Sequence, residues 1–137
     1  VRKVQDYCRK ISQPVPETVG QVARAIYESL ALKYRWALER LEEIKGQRID
    51  QLNIVGGGIQ NKLLNQMAAD AINRPVVTGP VEGAALGNLL MQAKALGLLN
   101  TMEEVRQVVR NSEAVHTYTP NHTEYWEQAY QTLFARL

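Results

Sequence analysis

The sequence predicts an α/β segment that is helix-rich and carries a small parallel β-α-β unit. Three observations lead to this fold class. Leu52-Asn53-Ile54-Val55 is short, β-branched at its end and runs into three glycines, as a strand feeding a tight turn does. Leu63, Leu64, Met67, Ala68, Ala71 and Ile72 then fall at helical spacing, and Asn73 before Arg74-Pro75 stops that helix. Pro75-Val76-Val77-Thr78 reads as a second strand, with Gly79-Pro80 as its turn. Strand, helix, strand in that order makes the two strands parallel with a right-handed crossover.

A long helix precedes this unit. Pro14 and Pro16 bar an earlier start, and Thr18 with Gln21 has the form of a capping box. Val22, Ile26, Leu30, Tyr34, Leu38 and Leu41 recur at three- and four-residue steps as one apolar stripe, and Gly46 ends the helix. After the second strand, Glu82 to Leu96 reads as a helix that is apolar on most sides and therefore buried. Gly83 and Gly87, four apart, are expected to let a neighbouring backbone come close. Two further helices close the chain. One begins at Thr101 with Glu104 in a second capping box; the other carries Tyr125, Trp126, Ala129, Tyr130, Leu133, Phe134 and Leu137, with Thr117-Tyr118-Thr119-Pro120 extended between them.

Composition bounds the function. The chain has 137 residues, the size of one domain, and 45% of them are hydrophobic, enough to offset the entropy of ordering the backbone. A net charge of +2 leaves no basic face for nucleic acid. The lone Cys8 rules out an intrachain disulfide or a zinc site built on paired thiolates. His116 and His122 do not form a metal-ligand pattern, so no metal site is expected. No apolar run reaches membrane-spanning length and no signal peptide is visible. Two strands make too narrow a parallel sheet to stand alone. With a first residue, Val1, that is not methionine, this suggests a piece of a larger protein.

The chemically informative run is Gly56-Gly57-Gly58-Ile59-Gln60-Asn61, between the first strand and its helix. Without a Cβ, glycine lets a flat or anionic ligand reach the backbone, and a helix N-terminus adds free N–H groups. The dinucleotide fingerprint fails, because Asn61 stands where its last glycine belongs and Thr78-Gly79-Pro80 where its acidic residue belongs. A P-loop fails because the chain has no Gly-Lys pair. Two readings of G-G-G-x-x-N stay open on equal terms. In one, the glycines lie under a base and Asn61 reaches the nucleotide. In the other, the run is a tight turn and Asn61 a helix cap. Glu82, opening a helix, reads as a structural cap and dipole partner.

The run LNIVGGGIQNKLLNQMAADAINRPVVTGPVEGAALGNLLMQAKALG resembles the second domain of the FGGY family of carbohydrate kinases. The likeness extends over essentially the whole chain, with GPVEGAALGN and Tyr118-Thr119-Pro120 as further points. Asn88 departs from the small residue that many members have there. The resemblance implies an actin-like ATPase (ribonuclease H-like) fold, of which residues 1–137 form the C-terminal part of the nucleotide-binding domain, the N-terminal sugar-binding and catalytic domain lying outside the chain. It implies that Gly57 contacts the adenine of ATP, that Asn61 reaches the same end of the nucleotide, and that Gly56 and Gly58 keep the loop open. It further implies transfer of the γ-phosphoryl of ATP to a sugar hydroxyl, the 1-hydroxyl of L-rhamnulose on the nearest likeness, with xylulose or fuculose as alternatives. The base, the Mg²⁺ contacts and the sugar contacts belong to the absent part, so no catalytic residue is assigned here; Asp50 and Asp70 are poor substitutes. The competing reading is a non-catalytic helical interaction module.

Overall fold

A computed structural model describes residues 1–112 and 114–134. Helix α1 (Arg2–Lys10) leads to α2 (Val19–Lys45), β1 (Leu52–Ile54), a 3₁₀ turn (Gly57–Gln60), α3 (Lys62–Ile72), β2 (Val76–Thr78), α4 (Gly83–Ala95), α5 (Met102–Ser112), β3 (His116–Tyr118) and α6 (Thr123–Phe134). The parallel unit is present: β1 pairs with β2 in the register Leu52 to Val76 and Ile54 to Thr78. The sheet is wider than two strands, however. The segment read as extended supplies β3, which runs antiparallel to β2 with Val76 opposite Tyr118, so the sheet is mixed with order β1-β2-β3. Thr119 and Pro120 lie beyond that strand.

Helix α3 is the spine of the packing. Met67 to Ile72 are all buried, because α3 has the sheet on one side and α2 and α6 on the other. Toward the sheet, Ala68, Ala69 and Ile72 meet Leu38 and Val76, with Leu52, Ile54 and Tyr118 at the edge. Toward the helices, Met67 and Ala71 meet Ala31 and Trp126. Alanines on α3 let α2 lie close along it.

Several expectations change in detail. Helix α2 has the expected capping box at Thr18 and the left-handed Gly46 stop, at φ 66°. Its stripe is only partly core: Val22 and Leu38 are buried, whereas Ile26, Leu30, Tyr34 and Leu41 are exposed. The face that packs is turned toward Ala31, since α3 touches that side and no described element covers the other. Helix α1 carries few apolar residues, and none of its residues is buried. The cap of α5 holds, the Glu104 N–H donating to Thr101 Oγ1 at 3.1 Å, but Glu104 reaches back to the Asn100 N–H. In α6, Trp126 and Tyr130 are buried and Tyr125 and Leu133 are not. The Phe134 side chain and Leu137 lie outside the described residues.

Helix α4 corrects the sequence reading most. Expected to be buried, it buries only Leu90. It packs chiefly on α5, leaving Leu89 63% and Met91 50% exposed, with Leu96 beyond it at 77%. Neither helix glycine brings a neighbouring backbone close: a Cβ at Gly83 would make an ordinary contact with the Val55 side chain at 3.4 Å, and at Gly87 it would meet nothing within 4 Å. Glu82 occupies the N-cap position of α4, yet its side chain makes no capping hydrogen bond.

Candidate functional site

The glycine run is built by the two parallel strands. Two backbone bonds carry the parallel pairing past the ends of β1 and β2: the Gly79 N–H donates to Ile54 O at 2.8 Å and the Gly56 N–H to Pro80 O at 3.0 Å. Gly56 then adopts φ 81° and ψ −167°, a conformation essentially reserved for glycine. The chain winds through one 3₁₀ turn, in which the Ile59 N–H donates to Gly56 O and the Asn61 N–H to Gly58 O, both at 3.2 Å. Gly57 and Gly58 are exposed, and their N–H groups have no partner among the described residues.

The three glycines differ in why they are glycine. At Gly56 the backbone dihedral requires it. At Gly58 an added Cβ would make an ordinary contact with Ile54 Cγ2 at 3.7 Å. At Gly57 φ is not positive and an added Cβ would meet nothing within 4 Å. Nothing in the described fold demands a glycine at 57.

Asn61 is a helix cap. Its Oδ1 accepts the Leu64 N–H at 3.0 Å, and its backbone oxygen accepts the Asn65 N–H. Asn65 is itself buried and donates through Nδ2 to Ile59 O at 3.0 Å, which fastens the end of the turn to α3. The Asn61 Nδ2 has no partner among the described residues, so its amide keeps donors free while its oxygen caps the helix. Gln60 is exposed beside it, and the run carries no charged side chain.

The arrangement is an open ledge. Two hollows lie elsewhere: one of about 400 Å³ between Arg35, Asn73 and the start of α6, the other of about 720 Å³ bounded by α2, α3 and α6. The second includes Asp70, to which the sequence reading gave no role. Its residues were hard to find because they come from three distant segments. Only the Arg24–Glu28 and Gln66–Asp70 pairs, each four apart on one helix, have a local signature.

The family model for the C-terminal domain of the FGGY family of carbohydrate kinases matches residues 6–96. The chain belongs to this family. Rhamnulokinase from Bacteroides thetaiotaomicron is 44% identical over 127 residues, covering 93% of the chain and 26% of that relative. Rhamnulokinase from Klebsiella pneumoniae is 48% identical over 119 residues, 87% of the chain and 24% of the relative. The chain thus spans about a quarter of the curated FGGY relatives it matches. Among solved structures, a ligand-bound xylulose kinase from Lactobacillus acidophilus superposes with a TM-score of 0.66 at 26% identity, over 84% of the chain and 22% of that protein. Glycerol kinase from Plasmodium falciparum, solved with ADP, superposes with a TM-score of 0.66 at 19% identity, over 85% of the chain and 24% of the other. The fold is that of the actin-like ATPases, here helix-rich with a small mixed sheet.

Proposed function

We propose that residues 1–137 are the C-terminal part of the nucleotide-binding domain of an FGGY kinase, and that the Gly56–Asn61 run receives the adenine end of ATP. The observation that carries this is Gly57: exposed, uncrowded and under no conformational demand, it is a glycine the fold itself does not need. A base or ribose lying on this ledge gives it a purpose, since a side chain at 57 would occupy the ligand's place. Asn61 can serve in both of its readings at once, capping α3 through Oδ1 and offering Nδ2 to the nucleotide. Gly56 holds the ledge in shape through its positive φ, and Gly58 keeps it open.

The parent enzyme is proposed to transfer the γ-phosphoryl of ATP to the 1-hydroxyl of L-rhamnulose in the cytoplasm. The rhamnulokinases, at 44–48% identity, favour this sugar over the xylulose suggested by a 26% identical structure. Transfer needs a base and charge-neutralising groups around the phosphates. These, with the Mg²⁺ ligands, are assigned to the remainder of the polypeptide, and no catalytic residue is assigned within this chain. The uncovered side of α4 is proposed to meet that remainder.

The test is Gly57→Leu in the full-length enzyme. ATP affinity should fall about tenfold or more, equivalent to about 1.4 kcal/mol, while the circular dichroism spectrum and melting temperature stay put. Unchanged ATP affinity in a folded variant rejects the ledge as the adenine site.

A further inference from the structure

The hollow bounded by α2, α3 and α6 holds about 720 Å³, inside the range of roughly 300–1,000 Å³ usual for small-molecule sites. It is distant in role from the glycine ledge, and its chemistry is different. Asp70 is only 5% exposed. Its Oδ1 accepts from Gln66 Nε2 at 2.8 Å and from the Asn121 N–H at 2.9 Å. Its Oδ2 has no partner among the described residues. Among the described residues no fully buried side-chain oxygen is left unpaired, so Oδ2 keeps an accessible face, and Asp70 lines this hollow.

Two more acceptors line the same space. Glu28 Oε1 accepts from Arg24 Nε at 2.8 Å and from the Tyr125 hydroxyl at 3.4 Å, which leaves Oε2. Gln66 spends Nε2 on Asp70 and on Thr119 O, which leaves its Oε1. Arg24 is committed to Glu28 and is 62% exposed, so it stands at the rim. Of the described lining residues only Arg24 is a Lys or Arg, against the two carboxylates of Glu28 and Asp70. The positive start of α6 is already met by Asp70 Oδ1 through the Asn121 amide. The floor is apolar, made by Leu63, Met67 and Trp126.

Spare acceptors with a net negative charge call for a donor-rich cation. A primary ammonium has three donors, no acceptor and one positive charge. A metal ion fits less well, because no three metal-ligating side chains stand together among the described residues. We propose that this hollow binds a primary alkylammonium group, with its apolar body on Leu63, Met67 and Trp126. The group comes either from a free small amine or from a lysine of the polypeptide outside this chain.

The experiment titrates 2-phenylethylammonium, and its neutral isostere 2-phenylethanol, into both the 137-residue chain and the full-length kinase, followed by NMR and calorimetry. In the 137-residue chain the ammonium should bind saturably, shifting the Gln66 amide and Trp126 indole signals, with the alcohol at least tenfold weaker. Asp70→Asn should weaken ammonium binding at least tenfold. Because Asp70 also holds the start of α6, Leu63→Lys is the second variant: at a 54% exposed position it places a resident ammonium at the hollow and should abolish binding with the other signals unmoved. Binding that persists in the full-length kinase identifies a free amine, and binding lost there identifies a lysine already seated. Absence of ammonium binding to the 137-residue chain, equal binding of the alcohol, or affinity unmoved by Leu63→Lys overturns the proposal.

Discussion

Arg74 grips Glu42 with both guanidinium nitrogens, Nη1 to Oε1 at 2.6 Å and Nη2 to Oε2 at 3.1 Å. The same Nη1 donates to Ile49 O, and the Ile49 N–H returns a bond to Glu42 Oε1. One pair thereby ties the end of α2, the approach to β1 and the approach to β2. Those are the segments that aim the glycine run.

The Arg74 guanidinium first, and the Ile49 amide second, hold the Glu42 carboxyl below its ordinary value of 4.5. A depressed folded-state pKa contributes stability above the unfolded value, lost as pH falls through the folded one. Acid titration of the melting temperature should therefore show a decline below about pH 4.5 that Glu42→Gln makes shallower. An identical acid limb in the variant removes Glu42 from the account.

Gly56 and Gly57 should respond oppositely to alanine. Gly56→Ala forces a side chain into φ 81° and should cost about 1–2 kcal/mol. Gly57→Ala should stay within about 0.5 kcal/mol, as surface changes do. Urea denaturation of the two variants decides this, and equal losses would contradict the open geometry at 57.

Asn61 permits its two duties to be separated. Asn61→Ala should cost about 1 kcal/mol of stability through the lost cap. Asn61→Asp retains a capping oxygen but no amide donor, so stability should be held while nucleotide affinity in the full-length enzyme drops. If the aspartate variant binds ATP as wild type does, the Nδ2 has no part in the site.

The bare side of α4 should make the chain associate. Leu89, Met91, Leu96 and Leu98 are all half exposed or more, and apolar side chains left in water in this number favour association. Sedimentation should give a mass above 15.4 kDa that Leu89→Lys with Leu96→Lys returns toward it. A monomeric wild-type chain at high concentration would refute this.

How much of this could be read beforehand follows from what the sequence encodes locally. Thr18 with Gln21, Gly46 and Asn73 each specify a helix end through their own backbone chemistry, and each stands where its residue type indicated. Strand β3 could only be called extended, because its pairing depends on Val76, forty-two positions away from Tyr118. Burial of α4 was misjudged for a different reason. An all-round apolar helix reports that something covers it, not that the covering lies in the same segment. Asn61 shows the limit at the site: spacing leaves cap and ligand donor tied, and only coordinates show that one oxygen takes the cap and frees the amide.

The bonds from Gly79 to Ile54 and from Gly56 to Pro80 have a mechanical meaning. They stitch the ledge to the turn that launches α4, at Gly79, where an added Cβ would press to 3.0 Å from Val55 Cγ1. The ledge and the start of α4 are therefore built on one shared edge, where Ile54 and Gly56 meet Gly79 and Pro80.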